Sequence, residues 1–323
     1  MDYVFTVRRV SKGAFKDEPG STYFLKVPED ADDISPDQKV GAAGAGMPDK
    51  WAKEVLAAAR SGENPRTVQP KGDILIYVHG FNTPTTTMLK RHRLIRAGLE
   101  REGFEGVVVS FDWPSASSAL NYLEDRSDAK QTARLLVDAG ISAFAARQTP
   151  DCEINLHILA HSMGAYVVRE AFDDADDRPA VASTSWSVSQ ILFVSGDVSA
   201  SSMSDGNPKS SSLYRHCVRL TNYSNPFDAA LSLSNIKRVG VSPRVGRIGL
   251  PVNRPDKAVN VDTGAYYERN EDRFRDIPNA SHTWYFFDQN FYTDVFQTLR
   301  GDVDRNRIST RAGTRSELEL HVA

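Results

Sequence analysis

The stretch Ile154-Asn155-Leu156-His157-Ile158-Leu159-Ala160-His161-Ser162-Met163-Gly164-Ala165-Tyr166 constrains this chain more than any other. Its apolar run reads as a buried strand, and the run breaks at Ala160-His161-Ser162-Met163-Gly164. From Tyr166 an apolar-periodic pattern through Val167, Val168, Ala171 and Phe172 begins a helix. Small residues at 160 and 164 let the chain pass abruptly from strand to helix with a serine at the apex. Such a turn holds a serine Oγ out at the C-terminal edge of a sheet. The helix N-terminus beside it offers free backbone N–H groups and a partial positive charge, favourable where an alkoxide or oxyanion forms. Taken alone, the pattern also fits a strand-end serine capping the next helix. The rest of the chain decides.

With 323 residues, the chain is long enough to bury a full core unaided. A net charge of -3 gives no excess that would make nucleic acid or an anionic membrane the main partner. The residues from Met1 to Val10 lack a basic region followed by an apolar segment of signal-peptide length, and no apolar run is long enough to span a bilayer. The two cysteines, Cys152 and Cys217, are no disulfide framework. A reduced, cytoplasmic protein is expected.

Residues 2–10 and 22–28 alternate as a leading strand pair, 29–48 read as a loop, Asp49 to Ala59 as a helix and 60–72 as a polar connector. Asp73 to Val78 is a continuous strand run that ends at His79-Gly80-Phe81-Asn82. A helix from Met88 to Phe104 follows, then a strand from Gly106 to Phe111 leading into Asp112-Trp113-Pro114-Ser115. A long helix from Ala119 to Ala146, softened at Gly140, precedes the serine-bearing unit. Further strands are expected at Gln190 to Ser195 and His216 to Thr221, and a last helix from Tyr285 to Leu299. The alternation predicts an α/β fold with a mostly parallel central sheet and helices on both faces. Reactive groups in such sheets gather on loops leaving the C-terminal strand ends. The expected division is an N-terminal extension of strands and loop/helix over 1–72 packed on the core, a catalytic core over 73–300, and a polar tail over 301–323.

A serine hydroxyl needs a base to accept its proton and a carboxylate to orient that base. Among the histidines, His282 lies in a polar loop just before the last helix, after the serine in chain order. The others, including His161 beside the serine, read as structural or solvated. Two acids follow strands toward the same edge: Asp228 and Asp197. Asp228 is preferred because it follows the last clear strand before His282, and Asp197 is the alternative. An oxyanion hole needs two backbone N–H groups. Met163 supplies one, and Phe81, after the first central strand, is the choice for the other. His79, Asn82, Trp113 and Tyr223 follow strands at the same edge and are candidates for lining a substrate pocket. The acidic run Asp173 to Asp177 reads as a solvated helix end, and the basic interval Ala229 to Pro255 as a solvated loop.

In order, Val78-His79-Gly80-Phe81-Asn82, Phe111-Asp112-Trp113-Pro114-Ser115, Ala160-His161-Ser162-Met163-Gly164, Asn225-Pro226-Phe227-Asp228-Ala229-Ala230-Leu231 and Ser281-His282 resemble the motifs of an α/β-hydrolase. The chain from Asp73 to Leu299 most resembles a bacterial esterase/lipase-like family of unknown function. The departures are Ala160 in place of glycine, and Gly196-Asp197 where the family often shows an Asp-rich turn. The resemblance implies a Ser162–Asp228–His282 triad with no metal and no organic cofactor. The reaction expected is serine-dependent hydrolysis of a small-molecule carboxylic ester. The same machinery serves an amidase, a thioesterase or an acyltransferase, and a binding protein that kept the fold without turnover is the non-enzymatic alternative.

Overall fold

The computed structural model describes residues 1–115, 122–145, 153–178, 186–236, 243–314 and 317–322. An 11-stranded sheet runs through it. Its strands are β1 (Asp2–Ser11), β2 (Ala14–Val27), β3 (Arg60–Glu63), β4 (Pro70–Val78), β5 (Val107–Asp112), β6 (Glu153–His161), β7 (Val188–Val194), β8 (Cys217–Ser224), β9 (Ala258–Asp262), β10 (Arg311–Thr314) and β11 (Glu317–Leu320). Their order is β10-β11-β9-β8-β7-β6-β4-β5-β1-β2, with β3 attached to β4. Neighbours pair in parallel from β1 through to β11, and the hairpins β1–β2, β3–β4 and β10–β11 are antiparallel.

The apolar run of β4 is continuous because both faces of the sheet are covered. Ile74, Ile76 and Val78 join one core with Val109, Ile158 and Val168. Leu75 and Tyr77 join the other with Leu89, Leu159, Leu192 and Tyr285. Successive side chains of a strand point to opposite faces, so one sequence run feeds two cores. The chain leaves β4 for β5 on one side and returns to β6 on the other. Loops leaving β4 and β6 therefore stand side by side at the reversal, where open α/β sheets form their ligand crevices.

Several elements differ from the sequence expectation. β2 starts at Ala14, inside the expected turn, and its first residues are mostly exposed, which hides their alternation. β3, β9, the helix Pro208–Arg215 and the helix Gly264–Phe274 occupy stretches to which the sequence reading assigns no such element. The basic interval contains the helices Ala229–Ile236 and Val245–Ile248 rather than loop throughout. Lys237, Arg238, Cys152 and the residues from Ala119 to Asn121 lie outside the described residues. The interruption at Gly140 falls in a π-helical turn, Leu136–Ile141, after the helix Tyr122–Leu135, and a Cβ at 140 would lie 2.8 Å from Cζ of Phe5.

At the two chain ends the sheet continues. β1 pairs with β5, setting Phe5 opposite Phe111. The segment expected as a polar tail forms β10 and β11, with Leu318 opposite Val261. Leu318 and Leu320 point inward while Glu317 and Glu319 face water. Cys217 is buried and free, and burial pushes its thiol up to about 12. No described helix is long and apolar enough to cross a membrane.

β10 is tied down by charge. Arg311 Nη2 lies 2.6 Å from Asp294 Oδ1 and Arg311 Nε 2.8 Å from Oδ2, with both side chains fully buried. Tyr223 and Thr310 hydroxyls each donate to the same carboxylate at 2.6 Å. Removing one member strands a buried charge, which costs about 3–5 kcal/mol. Arg311→Met is expected to lose stability on that scale in urea unfolding, and Arg311→Met combined with Asp294→Leu to recover much of the loss.

Candidate active site

The parallel register sets Val78 opposite Ala160, so β4 and β6 end level. Ser162 follows β6 directly at φ 56° and ψ -125° and opens the helix Met163–Asp176. A side chain in this region of backbone space costs on the order of 1–3 kcal/mol and persists only where neighbours enforce it. They do so here through hydrogen bonds. Ser162 N–H donates to Val194 O at 3.0 Å, and its carbonyl accepts from Ala165 N at 3.1 Å and Asp197 N at 2.9 Å. Gly164 lets the helix cross the sheet end, since a Cβ there would lie 2.4 Å from Val78 O. Gly80 abuts the serine itself: a Cβ at 80 would lie 2.6 Å from Ser162 Cβ and 3.1 Å from its Oγ. Ala160 is fully buried, and the core accommodates its methyl group.

His282 sits in a single helical turn, Ala280–Thr283, entered through Asn279 at φ 54°. Its Nδ1 lies 2.7 Å from Asp228 Oδ2. Asp228 is fully buried, and its Oδ1 accepts from Leu231 N at 2.9 Å, capping the helix Ala229–Ile236. Charge-assisted bonds of this kind fix a carboxylate firmly. The two segments are stitched by Ala229 N donating to Ser281 Oγ at 3.1 Å and Asn225 Nδ2 donating to Ser281 O at 2.8 Å. A carboxylate oxygen accepts, so the hydrogen of this bond stands on His282 Nδ1.

His161 packs under this pair, its ring 4.6 Å from that of His282. Its Nε2 donates to His282 O at 2.9 Å, and its Nδ1 is buried without a hydrogen-bond partner among the described residues. Burial, then the proximity of His282, hold the His161 imidazole well below the usual histidine range. A neutral ring therefore fixes the backbone of His282 without adding charge beside it.

The second acid is engaged elsewhere. Asp197 Oδ1 lies 2.8 Å from Arg244 Nε, and both side chains are buried. Of the pocket candidates, Asn82 is exposed at φ 48°, whereas His79, Trp113 and Tyr223 are fully buried. The Tyr223 hydroxyl is bound to Asp294, on the face away from the serine helix. Trp113 stacks on His79 at 5.5 Å and donates from Nε1 to His79 O at 2.9 Å. Phe81 is half-buried and Met163 buried. A groove of about 350 Å³ lies against the stitched segments, lined by Phe227, Ala229, Tyr267, Glu268, Glu271 and Ser281. Among the described residues no cluster of three His, Cys, Asp or Glu side chains could hold a metal ion.

Sequence reasoning missed Arg8, Thr6 and the pairing of Arg244 behind these loops, and the parts played by His161, Asn225 and Ser281. Arg8 is the last of seven consecutive buried residues at the start of β1, a burial that its charge alone did not announce. The others join through contacts distant in sequence.

The sheet order, the serine turn and the loops beside it define an α/β hydrolase. Residues 62–267 match a family described as alpha/beta hydrolase of unknown function (DUF900), and the chain belongs to that family. An uncharacterized protein of Nostoc sp. is 27% identical over 117 residues, an alignment that spans 29% of this chain and 29% of that protein's own length. A dienelactone hydrolase-like promiscuous phosphotriesterase from metagenomic libraries is 14% identical at a TM-score of 0.31, over 62% of this chain and 73% of that one. The RedJ thioesterase of Streptomyces coelicolor is 15% identical at a TM-score of 0.26, over 60% and 81% respectively.

One charge beneath the site makes a pH prediction. Burial alone would raise the Asp112 carboxyl, but the Arg8 guanidinium and the bond to His79 outweigh it and bring it down to about 2. A carboxyl lowered from its unfolded value near 3.9 stabilises the fold at pH above that value and loses the contribution as pH falls toward the folded value. The stake is about 2–3 kcal/mol. Asp112→Asn is expected to flatten the stability profile between about pH 4 and pH 2, measured by urea unfolding at each pH.

Proposed function

We propose that this protein is a serine hydrolase that cleaves small-molecule carboxylic esters through an acyl-enzyme, with Ser162 as nucleophile, His282 as base and Asp228 as its orienting acid. The observation that carries the reading is the Asp228–His282 contact of 2.7 Å at the same sheet edge as a serine held at φ 56° on a strand-to-helix turn. A serine held in that conformation, with a glycine backbone pressed against it, is what a nucleophile needs for close approach of a carbonyl.

As Oγ bonds to the ester carbonyl carbon, His282 Nε2 takes its proton. Asp228 stabilises the imidazolium through Nδ1–H. The carbonyl oxygen becomes an oxyanion and is met by the N–H groups of Phe81 and Met163, the latter aided by the helix N-terminus. Collapse breaks the bond to the leaving oxygen, which takes the proton from His282 and departs as the alcohol. Water then attacks the acyl-enzyme, giving its proton to His282. The acid is released and the proton returns to Ser162 Oγ. The groove lined by Ala229 and Ser281, the residues next to Asp228 and His282, is a candidate space for the acyl or alcohol part.

A short-chain p-nitrophenyl ester is expected to give a burst of nitrophenol followed by slower turnover. Ser162→Ala should abolish the burst and lower kcat by roughly 10⁴-fold or more. Asp228→Asn, which leaves the imidazole in the wrong tautomer, should cost about 10⁴-fold. Wild-type turnover by Ser162→Ala would overturn the assignment.

A further inference from the structure

β1 lies outside the residues matched to the family, 62–267, yet it places a buried charge directly behind the loop that faces the serine. Arg8 Nε lies 2.8 Å from Asp112 Oδ2 and 3.0 Å from Oδ1. Thr6 Oγ1 donates to Asp112 Oδ2 at 2.6 Å. Asp112 Oδ1 in turn lies 3.0 Å from His79 Nε2, and His79 Nδ1 lies 2.9 Å from Gly80 O. A second arm of the same guanidinium, Nη2, donates to Thr83 O at 3.2 Å, and Nη1 pairs with Asp17 of β2. Arg8, Asp112 and His79 are all 1% exposed or less.

A buried ion pair is weak support for stability, since its desolvation offsets much of its attraction. What the arrangement supplies is orientation. Gly80 O and Phe81 N–H belong to one planar trans peptide, and the described chain has no cis bond. In such a peptide C=O and N–H point in opposite directions. Fixing the carbonyl on His79 therefore fixes the N–H facing away from that ring. Gly80 is also the residue whose backbone abuts Ser162.

We infer that Arg8 is a positioning residue for the oxyanion hole: through Asp112 and His79 it sets the 80–81 peptide so that Phe81 N–H meets the developing charge. The N-terminal strand pair is thus part of the catalytic apparatus and not an accessory layer. The inference rests on the serine-hydrolase reading above.

The test compares wild-type, Arg8→Met and Arg8→Lys protein in steady-state and burst kinetics, with inhibition by an alkyl boronic acid as a probe of the tetrahedral state. Removing one oxyanion donor outright costs about 10²–10³-fold in kcat. Arg8→Met, which misplaces a donor without deleting it, is expected to lower kcat about 10- to 100-fold with KM within about threefold. The boronic acid inhibition constant should rise in parallel, and Arg8→Lys should restore part of both. A purely structural role would lower the melting temperature and leave kcat per active site, counted from the burst, unchanged. That outcome overturns the inference alone. If Arg8→Met fails to fold, Asp112→Asn carries the same test, with the same split expected and an unchanged kcat again overturning it. If wild-type protein turns over no ester in a panel that includes activated short-chain substrates, the hydrolase reading falls and this inference falls with it.

Discussion

The lateral pairing of β4 with β6 is the constraint on which the rest of the site depends. With Val78 opposite Ala160, the turns that follow the two strands meet edge to edge. One turn presents Gly80, the other Ser162, and the absence of a side chain at 80 lets them touch. A shift of one residue would turn the inward apolar set of β6 to the wrong face, so the hydrophobic cores enforce the register. The strain at Ser162 is held by this packing and by two bonds from the end of β7, at Val194 and Asp197. Ser162, the Gly80 turn and the N-terminus of the helix Met163–Asp176 are thus held together as one unit.

The Asp228–His282 pair is built differently. Asp228 and His282 stand on loops after β8 and after the helix Gly264–Phe274. Their precision comes from stitching: Asp228 caps a helix, Ser281 and Asn225 join the two segments, and His161 anchors the backbone of His282. Groups held by hydrogen bonds to backbone keep their geometry without needing a regular element of their own. Burial, then the proximity of His282, hold the His161 ring neutral, so it adds no second charge beside the Asp228–His282 pair.

The parts of this architecture legible in the sequence were those with a local signal. The switch from a strand-like run to helical periodicity at Ser162 is local, and so are the apolar run of β4 and the polar turns after strands. β9 is five residues long and β11 shows only two inward apolar positions, so both take their form from the strand beside them. Trp113 follows β5 and Tyr223 lies within the end of β8, and which way each aromatic turns depends on partners such as His79 and Asp294 that spacing does not reveal. Both candidate acids follow strands, and sequence preferred Asp228 only for its place before His282. Arg244, far along the chain, sits against Asp197, while His282 sits against Asp228. The Arg8–Asp112–His79 chain joins three strands distant in sequence and was invisible for the same reason.

The most direct measurement is the mass of the intact protein after reaction with a fluorophosphonate, followed by peptide mapping of the adduct. The account predicts a single stoichiometric adduct on Ser162, formed through attack by its activated Oγ. No adduct, or one on a different residue while Ser162 stays unmodified, would contradict it.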